Sequence, residues 1–351
     1  MINNSTDLAQ YIDSLTPGFF AMDLEADGLH RYGDSLCLIQ CTDGEKHQLI
    51  DPLAFEDMDA LVHLVEKSEI WMHGADYDMT LMQKAWAKQP KLIFDTQIAS
   101  RLVGAPRFGY GNLVQDYLGV ELDKASQKAD WSKRPLTEKM EEYALNDVVY
   151  LRPLAELLLE KLHEHGRYDW FLESCQTALD KASERIVDKV DSWRIKGSGK
   201  LTPKGLAFLK VIWNWREKEA EEWNKPVFMV CSNSMMIQWA TELSEDKIPE
   251  LPKHFRSRRV NKFIGAANRV RAMKPADYPQ KPKVERFAKD PLLEDKIDAT
   301  IKKKNKIAAE LNIDSSLLSN RVNVEAIVRG SVAPEDCLMN WQLALIGDIF
   351  E

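Results

Sequence analysis

Every strand signal in this 351-residue chain falls before about residue 96, and the remainder reads as helix. GFFAMDLEA (18–26), SLCLIQCT (35–42), HQLIDP (47–52), IWMHGA (70–75) and KLIFDT (91–96) are short and bounded by turn formers. They are rich in branched or aromatic residues, the pattern of strands. Between them, FEDMDALVHLVEKS and DYDMTLMQKAWAK carry apolar residues at helical spacing. Three consecutive strands followed by alternation with helices predict a mixed sheet flanked by helices.

Beyond it, residues 97–103, 111–118, 137–165 and 168–194 read as helices, with Pro153 a kink or boundary. Leu201-Thr202-Pro203 opens a second helical region, a cap followed by proline at the first helical position. This gives four segments: a first domain over 1–195, a helical domain over 200–275, a basic Pro/Lys-rich linker over 276–291 and a second helical domain over 292–351. Charge divides the same way. Residues 1–170 hold 16 Lys+Arg against 29 Asp+Glu, whereas 253–289 hold 12 against 2. An acidic half joined to a basic cluster suits a metal-holding enzyme tethered to a polyanion-binding domain, although solvated helix faces give the same count. The five cysteines are odd in number and form no CxxC pair, and Cys37 and Cys41 lack a partner pair at zinc spacing. No run reaches the roughly 18 apolar residues of a membrane helix, and the first ten residues lack the features of an export signal. A reduced, cytoplasmic protein with no membrane and no disulfide-linked partner is expected.

Four acids carry the chemistry. Asp23 and Glu25 lie two apart on the first strand, so both side chains leave one face. Their neighbours Phe19, Phe20, Ala21, Met22 and Leu24 mark that strand as buried. Two carboxylates at about 4–5 Å there would repel by several kcal/mol at an effective dielectric of about 20, so something positive should sit between them. Asp78 follows the strand IWMHGA in the first turn of the next helix. Asp147 lies four residues after Tyr143, on the same helix face. Such a set can build an all-oxygen site for two divalent ions, Mg²⁺ or Mn²⁺ rather than zinc, that would clamp a phosphodiester during in-line displacement. Singly, each acid reads as well as a surface or capping residue. Order and setting make the set specific.

FFAMDLEADGL, HGADYDMTLM and YALNDVVYL resemble the three exonuclease motifs of the DEDD superfamily in its tyrosine branch. The histidine branch has its histidine five residues before the last aspartate, where this chain has Glu142. FDTQIASRLVG, GYGNLVQDYLGVELDK and DWSKRPLTEKMEEYALNDVVYL resemble the ribonuclease D family more closely still. The resemblance implies a ribonuclease-H-like fold with a mixed five-stranded sheet, in which Asp23, Glu25, Asp78 and Asp147 ligate two metals. Tyr143 would orient the nucleophilic water. Leu24 stands where the family commonly has threonine or serine, and it should point away from the metals. Leu206, Leu209, Trp213, Trp215-Arg216 and Ala220, and later NRVNVEAIVRG with MNWQLALIGDIF, resemble the HRDC (helicase and RNase D C-terminal) helical domains. Their family role is binding nucleic acid. Candidate substrate contacts are Leu29 against the terminal base, Trp131 and Arg134, and Arg256, Arg258, Arg259 and Lys262 of the basic stretch. Asp95-Thr96 and His73 read as structural.

The expected function is a 3′-5′ exoribonuclease acting on RNA 3′ ends, such as precursor tRNA, releasing nucleoside 5′-monophosphates by a two-metal mechanism. The alternatives are a DNA exonuclease of proofreading or Werner type, a catalytically idle nucleic-acid-binding protein, or an adaptor that binds protein through its helical half.

Overall fold

The computed structural model describes residues 1–184, 191–281 and 290–351. The chain opens with α1 (Ser5–Asp13), capped by the Asn4 side chain, a helix the strand-to-helix pattern gave no sign of. Five strands follow: β1 (Ala21–Ala26), β2 (Leu36–Thr42), β3 (His47–Ile50), β4 (Glu69–Met72) and β5 (Leu92–Asp95), with α2 (Asp59–Lys67) and α3 (Asp76–Trp86) between them. They form one sheet in the order β3-β2-β1-β4-β5. The first three strands pair antiparallel, while β1–β4 and β4–β5 are parallel. The sheet is therefore mixed and five-stranded, as expected.

The alternation of β1 divides its residues between two faces. Met22 and Leu24 pack with Ile39 and Cys41 of β2 into one core. Ala21, Asp23 and Glu25 face the other side, over which lie α4 (Thr96–Leu102), α5 (Tyr110–Leu118), α6 (Glu138–Val149), α7 (Leu151–Glu164) and α8 (Tyr168–Glu184). The helix expected over 137–165 is two helices broken at Tyr150. Pro153 is not the break; it is the third residue of α7, where its missing N–H has no intrahelical partner to lose. The continuation expected for the 168–194 helix over 185–190 lies outside the described residues.

The chain divides into two compact units. One comprises Met1–Ala26, Ser35–Ile186 and Ala288–Glu351; the other comprises Asp27–Asp34 and Val187–Phe287. These units do not coincide with the segmentation read from sequence. The helices α13 (Pro291–Glu310), α14 (Arg321–Val328) and α15 (Asn340–Ile346) were expected as a separate domain. Instead Ala308, Ile327, Trp341 and Ile346 join the core of Leu102, Leu151 and Phe171. The cause is visible at the side chains. Trp341 stacks on Trp170 at 4.9 Å. The Glu173 carboxylate accepts the N–H groups of Asn340 and Trp341 and so caps α15 from α8. Arg167 donates to the Leu102 and Leu311 carbonyls.

The second unit is built on α9 (Pro203–Trp223), α10 (Val227–Val230), α11 (Asn233–Ser244) and α12 (Ser257–Arg271), around Leu206, Leu209, Trp215, Trp239 and Phe263. The turn Asp27–Asp34 belongs to it because Tyr32 donates its N–H to Asn224 and its hydroxyl to Glu217, both at 3.3 Å. Half of the linker expected over 276–291, residues 282–289, lies outside the described residues. Among the described residues no helix is long and apolar enough to cross a membrane.

Candidate active site

Asp23 lies opposite Gln40 and Glu25 opposite Leu38 in the β1–β2 ladder, and a register shift follows directly after Glu25. Such a bulge re-aims side chains where regular pairing ends. Across from this face α6 presents Asp147 and, one turn earlier, Tyr143. One carboxylate oxygen from each of Asp23, Glu25 and Asp147 lies within 4.8 Å of the others. All three are partly accessible.

Asp78 reaches the same place from the first turn of α3. Its carboxyl accepts a hydrogen bond from the Leu24 backbone, and its charge raises the Asp23 pKa more than any other single group. It stands beside Asp23 but outside the close group of three. The turn that delivers it is held by Asp95, which accepts the Gly74 and Ala75 N–H groups at 2.9 and 3.0 Å and also caps α4 through the Gln97 N–H. Gly74 sits at φ +65, where a side chain would be strained and its Cβ would meet Gln97 at 3.2 Å. His73 and Thr96 close the strand ends through a 2.9 Å hydrogen bond.

The electrostatics follow from the crowding. Burial first, and then Asp78, Asp147 and Glu25, hold the Asp23 carboxyl well above the usual range. Burial followed by Asp147 and Asp78 pushes Glu25 up to about 9. Asp78 and Asp147 both rise to about 7, mainly through burial. Tyr143 donates a hydrogen bond to Asp147, and burial with the surrounding carboxylates pushes its phenol up. Four acids with raised proton affinity and only oxygen donors form a set that a divalent cation can occupy in place of protons.

The remaining sequence candidates fall elsewhere. Trp131 is buried, 6.0 Å from the Tyr143 ring, among Leu38, Leu49, Leu136 and Ala144. Arg134 has all five guanidinium N–H groups engaged: two on Asp51, and one each on the carbonyls of Trp131, Lys133 and Cys37. Both residues brace the face beneath α6 and turn no donor outward. Leu29 is half-exposed on the Asp27–Asp34 turn. On α12, Arg259 and Lys262 are paired with the buried Glu219, whereas Arg258 is exposed. Two residues went unremarked in the sequence. Gln40 is fully buried opposite Asp23, and neither amide atom has a hydrogen-bond partner among the described residues. Tyr110 donates to the Asn146 carbonyl, and the charges of Asp147 and Asp23 help to raise its pKa. A polar residue at a core position was the signal for Gln40; Tyr110 gave none.

Residues 1–163 match the family described as 3′-5′ exonuclease, and residues 205–264 match the HRDC domain. With the sheet order and acid cluster above, residues 1–163 are similar to the 3′-5′ exonuclease family and residues 205–264 to the HRDC domain. Within that class its similarity is to ribonucleases D. It is 28% identical to ribonuclease D of Sphingobium indicum over 99% of this chain and 92% of that one. Against ribonuclease D of Cronobacter turicensis identity is 34%, over 63% of this chain and 61% of the relative's length. The crystal structure of Escherichia coli RNase D, described as an exoribonuclease involved in structured RNA processing, shares the fold. Its TM-score is 0.76 at 23% identity, covering 100% of this chain and 96% of that one.

Proposed function

We propose that this protein is a 3′-5′ exoribonuclease that hydrolyses the terminal phosphodiester of RNA and releases nucleoside 5′-monophosphates. The observation that carries the reading is the convergence of Asp23, Glu25 and Asp147 within 4.8 Å, with Tyr143 hydrogen-bonded to Asp147. Asp23, Glu25, Asp78 and Asp147 are the holders of two Mg²⁺ or Mn²⁺ ions. When bound, the ions would activate water and stabilise charge on the attacking and leaving oxygens.

The protein's own groups do the rest. Tyr143, with its pKa raised, keeps its proton near neutral pH and serves as a hydrogen-bonding group rather than a base. Its hydroxyl donates to Asp147 and leaves oxygen lone pairs to orient the attacking water. Asp95 fixes the turn that sets Asp78. Trp131 and Arg134 act at one remove by packing and bracing the wall beneath Tyr143. The basic face of α12, with Arg256 and Arg258 outermost, supports RNA binding, and precursor tRNA 3′ ends are the proposed substrates, handled in the cytoplasm.

An end-labelled assay tests this. Stepwise loss of mononucleotides from the 3′ end of single-stranded RNA is expected with Mg²⁺ or Mn²⁺ and not with chelator. A matched DNA strand should be cut more slowly. Equal or faster hydrolysis of the DNA would move the reading to a DNA exonuclease, and retained activity in the Asp23→Asn/Asp78→Asn protein would remove the site assignment.

A further inference from the structure

The second unit has a pocket of about 410 Å³ between the C-terminal end of α9 and the start of α12. Its lining holds one exposed tryptophan, Trp223, with four basic side chains against two acidic ones. Trp223 is 45% exposed although it is among the largest apolar side chains. Its ring is not loose: the Arg259 guanidinium lies over it at 5.0 Å, and also over Phe255 at 5.2 Å.

Arg259 is in turn fixed. Its Nε donates to the buried Glu219 at 2.9 Å, and Lys262 pairs with the same carboxylate at 2.9 Å and with Glu222 at 2.6 Å. The two acids are thus neutralised from within by Arg259 and Lys262. That leaves Arg256 and Arg258 as the pocket's surplus positive charge. Arg256 is exposed and has no ion pair among the described residues; Arg258 has an 81% exposed side chain and only a 3.5 Å approach to Glu222.

A pre-set aromatic ring beside two outward guanidinium groups matches an unpaired nucleotide, whose base can stack while its phosphate meets the arginines. A base held in a duplex cannot present its face to the ring. The geometry points to this pocket as a binding site for a single unstacked nucleotide of a single-stranded segment, with Trp223 carrying the base and Arg256 and Arg258 its phosphate. Arg259 and Lys262 position the platform rather than touch the ligand. The inference rests on the nuclease reading only for the identity of the nucleic acid as RNA.

The test uses the full-length chain in chelator, so that binding is read without hydrolysis, with fluorescein-labelled single-stranded and duplex RNA oligonucleotides. Trp223→Ala should weaken single-strand binding about tenfold, the usual loss for one stacked base, and change duplex binding by less than about twofold. Trp223→Phe should restore most of the affinity. Arg256→Ala should lower the slope of log K against log salt by about 0.7 on the single strand. Equal affinity of wild type and Trp223→Ala for the single strand overturns the site, as does equal loss on both RNAs. The nuclease reading is scored separately by metal-dependent hydrolysis in the wild type, so either can fail alone.

Discussion

Replacing Arg134 with methionine separates a residue that braces the fold from one that grips substrate. The guanidinium makes five hydrogen bonds, two of them at 2.6 Å to Asp51. Arg134 and Asp51 are 23% and 7% exposed, so solvent screens the pair little. Methionine fills a similar length but strands the Asp51 carboxylate and leaves the Cys37 carbonyl without its donor. Removing one partner of such a pair costs about 3–5 kcal/mol. At about 2–4 °C per kcal/mol for a unit of this size, Tm should fall by about 10 °C. Thermal melts of both proteins, followed by steady-state kinetics at a temperature where both are folded, read the two roles independently. The KM for RNA should stay at the wild-type value. Adding Asp51→Leu to the variant should recover part of the lost stability, since the stranded charge is then gone. A Tm change under about 2 °C together with a raised KM would refute the reasoning and return Arg134 to the substrate path.

The acid cluster gives a pH dependence whose sign is fixed. Its carboxyls bind protons more tightly folded than unfolded, so in chelator stability should fall as pH rises from about 5 through 7, where Asp78 and Asp147 ionise, to about 9, where Glu25 does. Melts from pH 5 to 9 should show this, and saturating Mg²⁺ or Mn²⁺ should flatten the decline; a Tm that rises with pH in chelator would contradict it. Asp23→Asn in chelator should raise Tm, because an amide relieves the repulsion, while abolishing hydrolysis; a lowered Tm would argue against the crowding. Tyr143→Phe should lower kcat about 100-fold or more, with metal affinity measured by titration calorimetry little changed. Glu173→Ala, which uncaps α15, should cost about 1–2 kcal/mol in denaturant melts and leave activity per folded molecule intact.

What could be read from the sequence was whatever local pattern dictates. Strand periodicity located all five strands to within a few residues, and the two-residue spacing of Asp23 and Glu25 already placed both on one face. Tyr143 and Asp147 were legible as one helix face because four residues make about one turn. The illegible parts depend on partners distant in sequence. Nothing in the 292–351 stretch says that Trp341 will stack on Trp170 or that Glu173 will cap α15. The same distance hid the role of Arg134: the segment around it announces a cation, but its acceptor Asp51 lies 83 residues away. Arg259 and Lys262 misled for a like reason, since α9 supplies Glu219 from 40 or more positions earlier.

The arrangement also explains why the acids sit where folding alone would not put them. One face of β1 is apolar and buries Met22 and Leu24, which anchors the strand at the centre of the sheet. The other face carries Asp23 and Glu25 against a fully buried Gln40 that has no hydrogen-bond partner among the described residues, a combination that costs stability on both counts. Five braces outside the cluster hold that face in place: Asp95 under the turn before α3, Thr96 at the strand end, Trp131 and Arg134 beneath α6, and the Tyr110 bond to Asn146. Each is engaged by protein atoms, so the convergence of the carboxylates is built into the fold. Cation binding would then return stability to a geometry already set, whereas loss of a brace such as Arg134 should be read first as a lower Tm.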